Sequence, residues 1–139
     1  MNILIIESRY HAHVAQMLLD GATGALEKAG AHFERVAVPG ALEIAPAIAC
    51  VAGGPKPFDG YVALGCVLGA GAVHDTIFRE TTHALMALGL NGIALGQGVV
   101  SAPGEDEALM LAVDGDAGGD AVRACLSLIT IRDRAGYLR

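Results

Sequence analysis

Two side chains suited to acid–base chemistry follow apolar segments of this sequence. His74 stands in the loop Gly69–Asp75, and the imidazole of histidine normally gains or loses a proton near neutral pH, so His74 is the candidate general acid or base. The alternative is a histidine that merely lies at a helix start. Glu43 follows Pro39-Gly40-Ala41-Leu42 and can accept hydrogen bonds from ligand hydroxyls, unless it serves only the electrostatics of a helix terminus.

Aromatic side chains suited to ligand binding stand near the amino terminus. Tyr10 can stack on a flat heterocycle, or it is a half-buried loop residue. The adjacent His11 can line the same pocket. His11 and His13 are two positions apart and would diverge on a helix, so they make a poor metal pair and no metal site is predicted.

The three cysteines do not suggest a disulfide framework. Cys50, Cys66 and Cys125 are odd in number, widely spaced and set in apolar segments, which predicts reduced, buried thiols. Cys66 is a weak candidate nucleophile, because no basic residue is near it in sequence to stabilise a thiolate.

Hydrophobic periodicity alternates between that of strands and that of helices. Continuous apolar runs predict buried parallel strands, and apolar residues three or four apart predict amphipathic helices. We expect an α/β fold, a three-layer αβα sandwich with a four-stranded parallel sheet in flavodoxin-like order, as one domain over residues 1–139. The predicted strands are 2–7, 33–38, 61–68 and 93–100, and the predicted helices are 11–29, 43–52, 75–88, 105–113 and 120–132.

Ligands of such sheets bind at the carboxyl ends of the strands. The segments that follow the predicted strands should therefore form the site. They are 8–11, 39–43, 68–75 and 96–101.

Composition limits the partners and the compartment. The net charge of −6 argues against nucleic acid or an anionic membrane as a partner. No apolar stretch reaches the ~18–20 residues of a membrane span, and Met1–Leu4 lacks the basic segment of a signal peptide, so a cytoplasmic protein is expected. Hydrophobic residues make up 53% of the chain and its mean hydropathy is +0.49, which indicates a buried subunit interface or, alternatively, a large core.

Six segments, in order along nearly the whole chain, resemble the lumazine synthase family. Pro39–Ile44 matches the family's Pro-Gly-Ala-x-Glu motif and is the most specific of them. The others are Ile5–Tyr10, Leu18–Ala22, Ala63–Leu68, Gly92–Ser101 and Asp106–Ala108.

The resemblance implies a reaction of riboflavin biosynthesis that needs no cofactor. In that family a ribitylamino-pyrimidinedione condenses with a phosphorylated butanone: a Schiff base forms, phosphate leaves and a ring closes. The resemblance also implies a homopentamer or decamer whose active sites are shared between subunits.

The resemblance assigns roles to individual residues. It implies a small-molecule pyrimidine or flavin-like ligand whose ring is stacked by an aromatic side chain and whose ribityl chain is held near Glu43. When the segment is aligned with the family pattern from Leu64-Gly65 forward, His74 falls at the position of the family's histidine. When it is aligned from Glu80 backward, Val73 falls at that position. Substrate binding is assigned to Tyr10, Gly40, Ala41, Glu43, Cys66, Val67, Leu68 and Leu95 by the resemblance, and to His11 because it is adjacent to Tyr10.

The residues expected to hold the substrate's phosphate depart from the family pattern. Gly71 and Ala72 replace its hydroxyls, Leu111 stands where an arginine is expected, and residues 114–120 are acidic. Arg79 is the only lysine or arginine between Pro57 and Val122, so phosphate binding is assigned to it, helped by helix-terminal amides or Arg9. Two other functions therefore stay open: a relative that binds or transforms a phosphate-free heterocyclic ligand, and a non-catalytic assembly protein.

Overall fold

The computed structural model describes residues 1–135 and contains one parallel sheet of four strands. The strands are β1 (Asn2–Ser8), β2 (His32–Val38), β3 (Gly60–Leu68) and β4 (Leu95–Ala102), and their order is β2-β1-β3-β4. The expected parallel sheet and flavodoxin-like order are confirmed. The central strands β1 and β3 are almost continuously buried, whereas β2 lies at an edge and is mostly exposed.

Helices cover both faces of the sheet, which confirms the three-layer α/β architecture. In residues 1–135 the helices are α1 (Ala12–Lys28), α2 (Ile44–Ala52), α3 (Ala72–Leu90), α4 (Glu105–Val113) and α5 (Ala117–Ala135), with a 3₁₀ turn at Ala41–Glu43 before α2. Alternate strand residues divide the core. Ile3, Ile5 and Leu64 pack under α1, α4 and α5, whereas Leu4, Ile6 and Ala63 pack against α2 and α3.

Helix α3 begins three residues earlier than the expected Asp75, and this shortens the predicted loop. Only Gly69–Gly71 separates β3 from α3. Gly69 and Gly71 have φ values of 128° and 97°, which side chains of other residues rarely allow, so these two glycines reverse the chain within one short turn. His74 consequently lies in the first turn of α3 rather than in a loop.

Two other boundaries were wrong for a related reason. The predicted strand 93–100 is present as β4, which runs from Leu95 to Ala102, but the loop expected over residues 96–101 lies entirely inside it. Helix α5 was expected to begin at Asp120 and begins at Ala117, so Gly118 and Gly119 are helical. In both segments the glycines allow close packing of regular elements and do not interrupt the backbone regularity.

The glycines of β4 and α5 let backbones meet where no side chain fits. A Cβ atom on Gly96 would lie 1.7 Å from the carbonyl oxygen of Ala121 in α5. A Cβ atom on Gly118 would lie 2.1 Å from the carbonyl oxygen of Leu18 in α1. Helix α5 is therefore held against both the sheet and α1 by contacts that require these glycines.

The thiols are less uniformly buried than the sequence suggested. Cys66 and Cys125 are buried as expected, but Cys50 is exposed, because it lies on the outer side of α2 while Ile44, Ala45 and Ile48 face the core. No helix in the described part of the chain is both long and apolar enough to cross a membrane.

The Gly96→Ala substitution should destabilise the fold, because the new methyl group would force α5 away from β4. We expect a loss of about 3 kcal/mol in the free energy of unfolding, measured by urea denaturation at fixed protein concentration. The matched control is Gly24→Ala in α1, where a Cβ atom would meet nothing within 4 Å. That change should be neutral or stabilising by up to ~1 kcal/mol. Equal effects of the two substitutions would contradict the packing described here.

Candidate functional site

The carboxyl ends of β3 and β4 meet the first turn of α3 around His74. The His74 side chain is only 12% exposed, whereas the preceding Val73 is 75% exposed. His74 and Val73 were the two candidates for the position of the family's histidine. Of these, His74 is the one whose side chain faces the strand ends. The short glycine turn before α3 is what brings it there.

Both nitrogens of the His74 ring have partners. Nδ1 lies 3.0 Å from Oδ1 of Asp75, although adjacent residues on a helix seldom pair in this way. Nε2 lies 3.0 Å from Oγ of Ser101 and 3.2 Å from the carbonyl oxygen of Val67. Sequence reasoning missed the Ser101 contact, because it depends on the register that pairs Ser101 of β4 with Val67 of β3.

Tyr10 and His11 lie just after β1, at the same edge of the sheet. The Tyr10 side chain is 79% exposed, which leaves its ring free to meet a ligand. Its ring and that of His11 meet edge to face, with centroids 5.0 Å apart and an interplanar angle of 82°.

Gly40, Ala41 and Glu43 follow β2 at this edge. Ala41 and Glu43 belong to the 3₁₀ turn, which packs against α3. Glu43 stands at the amino end of α2, but its side chain makes no capping hydrogen bond. Its exposed carboxylate therefore has acceptor capacity that capping of α2 does not use.

The end of β3 directs its side chains to opposite faces. Cys66 belongs to the core under α1, α4 and α5, whereas Val67 packs on the α2 and α3 side, where His74 lies. Burial raises the pKa of the Cys66 thiol to about 11, and Glu105 adds to the effect. Cys66 is thus a neutral thiol near pH 7. The backbone of Val67 and the half-buried Leu68 remain at the strand end.

Leu95 is not brought to His74 within one chain. It begins β4 and pairs with Tyr61 at the opposite, amino edge of the sheet. It lines an open apolar groove of about 520 Å³ between α3, β4 and α5. Met86 and Leu90, at the rim of this groove, are 62% and 81% exposed. The remaining lining residues are Thr82, Leu85, Gly89, Gln97 and Leu128.

The residues expected to meet a phosphate group are dispersed. Arg79 is exposed on α3, slightly more than one turn after His74, and Leu111 is 43% exposed on α4. Part of the acidic segment 114–120 is neutralised locally. Arg123 of α5 pairs with Asp116 at 2.8 Å and with Asp120 at 2.7 Å. This pairing reduces the negative field that the sequence suggested.

A buried ion cluster at the end of β1 was missed by sequence reasoning. Glu7 is 1% exposed, and Oε1 of its carboxylate lies 2.5 Å from a guanidinium nitrogen of Arg9. Arg35 of β2 approaches the other oxygen at 3.7 Å. Arg9 also donates to Gln16 of α1 at 2.8 Å. Arg9 thus links the end of β1 to α1, and Arg35 links β2 to the same carboxylate. Because its charge is engaged by Glu7, Arg9 is not free to bind an anion.

Comparison with known proteins gives one consistent result. The sequence model of the family described as 6,7-dimethyl-8-ribityllumazine synthase matches residues 1–133. The chain is 39% identical to the protein of that name from Sphingopyxis alaskensis, over 97% of each chain. It is 40% identical to the one from Novosphingobium aromaticivorans, over 94% of this chain and 96% of the relative. It is 42% identical to the one from Methylocella silvestris, over 99% of this chain and 88% of the relative.

Removing the cation nearest to Glu7 should cost more stability than removing the distant one. Arg9→Met leaves a buried carboxylate without its close partner, and we expect a loss of about 2–4 kcal/mol in the free energy of unfolding. Arg35→Met removes a longer contact from a side chain that is 55% exposed, and it should cost less than about 1 kcal/mol. Urea denaturation of both variants makes the comparison. An equal or larger loss for Arg35→Met would contradict the assigned geometry.

Proposed function

The chain belongs to the 6,7-dimethyl-8-ribityllumazine synthase family, and from this premise we propose that it condenses a ribitylamino-pyrimidinedione with a phosphorylated butanone in riboflavin biosynthesis. The observation that carries the proposal is the position of His74 at the carboxyl ends of β3 and β4, with partners at both ring nitrogens. Ligands of parallel α/β sheets bind at this edge.

His74 is the general acid and base of the proposed reaction. When the substrate's primary amine condenses with the ketone carbonyl, two protons leave nitrogen in turn and two join the carbonyl oxygen, which departs as water. A histidine held beside the reacting atoms can accept each proton from nitrogen and supply it to oxygen. Cys66 has no part in this chemistry, because its thiol is neutral at pH 7 and lies on the far face of the sheet.

The residues around His74 supply a surface for the ring and its ribityl chain. Tyr10 stacks on the heterocycle, with His11 beside it. Gly40 and Ala41 allow close approach of the backbone, and Glu43 accepts hydrogen bonds from the ribityl hydroxyls. The backbone of residues 66–68 lies under the ring. Two observations support these roles: Tyr10 is exposed, and the Glu43 carboxylate makes no capping hydrogen bond to α2.

We propose that the site is completed by a neighbouring subunit of a homopentamer or decamer. Leu95 cannot meet a ligand bound at His74 of its own chain, since it lies at the opposite edge of the sheet. It can meet a ligand bound to a neighbour that packs on the apolar groove. The exposed Met86 and Leu90 on the groove's rim support such burial.

The phosphate group of the second substrate is held weakly in this proposal. A phosphate carries about −1.5 to −2 charges near neutral pH. The available groups are Arg79 and the amides that begin α3, while Gly71, Ala72 and Leu111 provide neither hydroxyl nor charge. Arg9 does not help, because it is engaged by Glu7.

The lack of hydroxyl and charged groups for phosphate favours a second candidate function, the binding or transformation of a phosphate-free heterocyclic ligand. In that case the protein makes no product from the family's two substrates, even at high enzyme concentration, but it binds riboflavin or a ribityl-purine analogue. A protein that binds neither and forms only a stable particle would instead be an assembly protein.

Mixing the purified protein with both substrates tests the first candidate by the absorbance and fluorescence of the product. His74→Ala should lower kcat by roughly 10²–10⁴-fold, the usual contribution of general acid–base catalysis. His83→Ala is the matched control, because His83 is an exposed histidine of the same helix, and it should leave the rate unchanged. Equal rates for the His74→Ala variant and the parent would refute the role of His74.

Restoring a cation on α4 should strengthen binding of the phosphorylated substrate. We expect Leu111→Arg to lower KM for the phosphorylated butanone by at least about tenfold, because a charged partner in a polar site is worth ~2 kcal/mol or more. The KM for the pyrimidinedione should not change. Leu111→Gln, which removes the apolar side chain without adding charge, is the control. A fall in KM that is the same for both variants would show that charge is not what the site lacks.

A further inference from the structure

Ser101 contacts the His74 ring from a separate element of the fold. The two residues are 27 positions apart in sequence, and the sheet register brings them together. Ser101 pairs with Val67 on β3, and both present oxygen atoms to Nε2 of His74. The ring is therefore fixed by β3 and β4 at one nitrogen and by Asp75 of its own helix at the other.

The three oxygen partners of His74 differ in what they can do. The Val67 carbonyl and the ionised Asp75 carboxylate only accept hydrogen bonds. The Ser101 hydroxyl both donates and accepts, since its hydrogen rotates about the Cβ–Oγ bond. A neutral imidazole has one N–H and one bare nitrogen, so one of its nitrogens needs a donor. Among these three partners, only Ser101 can be that donor.

Resting on the proposed function, we propose that Ser101 is the positioning residue that keeps Nε2 of His74 as the proton-accepting nitrogen. Asp75 accepts a hydrogen bond from Nδ1–H, and the Ser101 hydroxyl donates to the bare Nε2. On substrate binding the hydroxyl hydrogen rotates away and the substrate's amine N–H takes its place. After proton transfer, Nε2–H donates to the Val67 carbonyl or to Ser101 Oγ. The ring takes each of the two protons from nitrogen in turn and passes it to the departing oxygen without moving.

The same order of hydroxyl, imidazole and carboxylate occurs in serine hydrolases, where the serine is a nucleophile. Two features favour a positioning role here. Ser101 lies within the β3–β4 ladder, not on the sharp exposed turn that presents a nucleophilic serine in the α/β-hydrolases. In addition, its Oγ is one of two oxygen atoms that face Nε2, and the other is the backbone of Val67.

Nitrogen-15 NMR of the histidine rings in the unliganded protein, followed over a pH series, tests this assignment. In the parent, the uncharged form of the His74 ring should carry its proton on Nδ1, and His74→Gln identifies its signals. In Ser101→Ala the donor to Nε2 is lost, so the tautomer with Nε2–H bonded to Val67 should gain at least roughly fivefold in relative population, the factor of one net hydrogen bond. Ser101→Thr retains the hydroxyl and should restore the parental tautomer.

Activity provides a second readout. Ser101→Ala should lower kcat at least roughly fivefold with little change in KM, and Ser101→Thr should recover the rate. An unchanged tautomer in Ser101→Ala would overturn the proposal, as would stoichiometric acylation of Ser101 by p-nitrophenyl acetate, which would identify a nucleophile. Since the NMR experiment contains no substrate, it stands even if the chain makes no lumazine product. Failure of the proposed function, seen as no product, can thus be distinguished from failure of the Ser101 proposal, seen as an unchanged tautomer.

Discussion

The three-residue turn between β3 and α3 is the constraint on which the site depends. Gly69 and Gly71 both adopt positive φ values, and Gly69 is tied back to β4 by a 3.0 Å hydrogen bond from its N–H to the carbonyl of Ala102. With so short a connection, α3 must begin over the ends of β3 and β4. His74, in its first turn, is consequently delivered to Ser101 and Val67. In the sequence this glycine-rich segment lacks the hydroxyl groups expected to bind phosphate. In the fold the same segment places His74 at the ends of β3 and β4.

Two further contacts hold the sheet edge that carries the site. Helix α5 lies directly on β4 because Gly96 has no side chain, and it meets α1 because Gly118 has none. At the end of β1, the buried Glu7 carboxylate joins Arg9 and Arg35, and Arg9 reaches Gln16 on α1. A buried carboxylate requires partners, so the end of β1, the middle of β2 and the start of α1 are fixed relative to one another. Tyr10 and His11 follow directly from this rigid point.

The elements could be predicted because they follow from periodicity, which is local, and the layered parallel sheet because strand–helix–strand crossovers are right-handed. The start of α3 at Ala72 could not, since it depends on the positive φ values of Gly69 and Gly71. The start of α5 at Ala117 could not either, since it depends on glycines packed against a distant backbone. The Ser101 contact depends on sheet register in the same way. Glu7 did carry a signal that went unused: a carboxylate closing an apolar strand, with an arginine two residues later. Leu95 was assigned to the site by resemblance, but one chain alone does not bring it there.

The proposed function requires a heterocycle to bind at the carboxyl edge of the sheet, beside His74. Its most direct test is a crystal structure of the protein with the ribitylamino-pyrimidinedione or with riboflavin. In that structure the ring should stack on Tyr10 and the ribityl hydroxyls should point to Glu43. A ligand atom should lie within reach of His74, about 2.6–3.2 Å directly or through one water. A ligand bound only in the apolar groove between α3, β4 and α5, remote from any copy of His74, would contradict the proposed function.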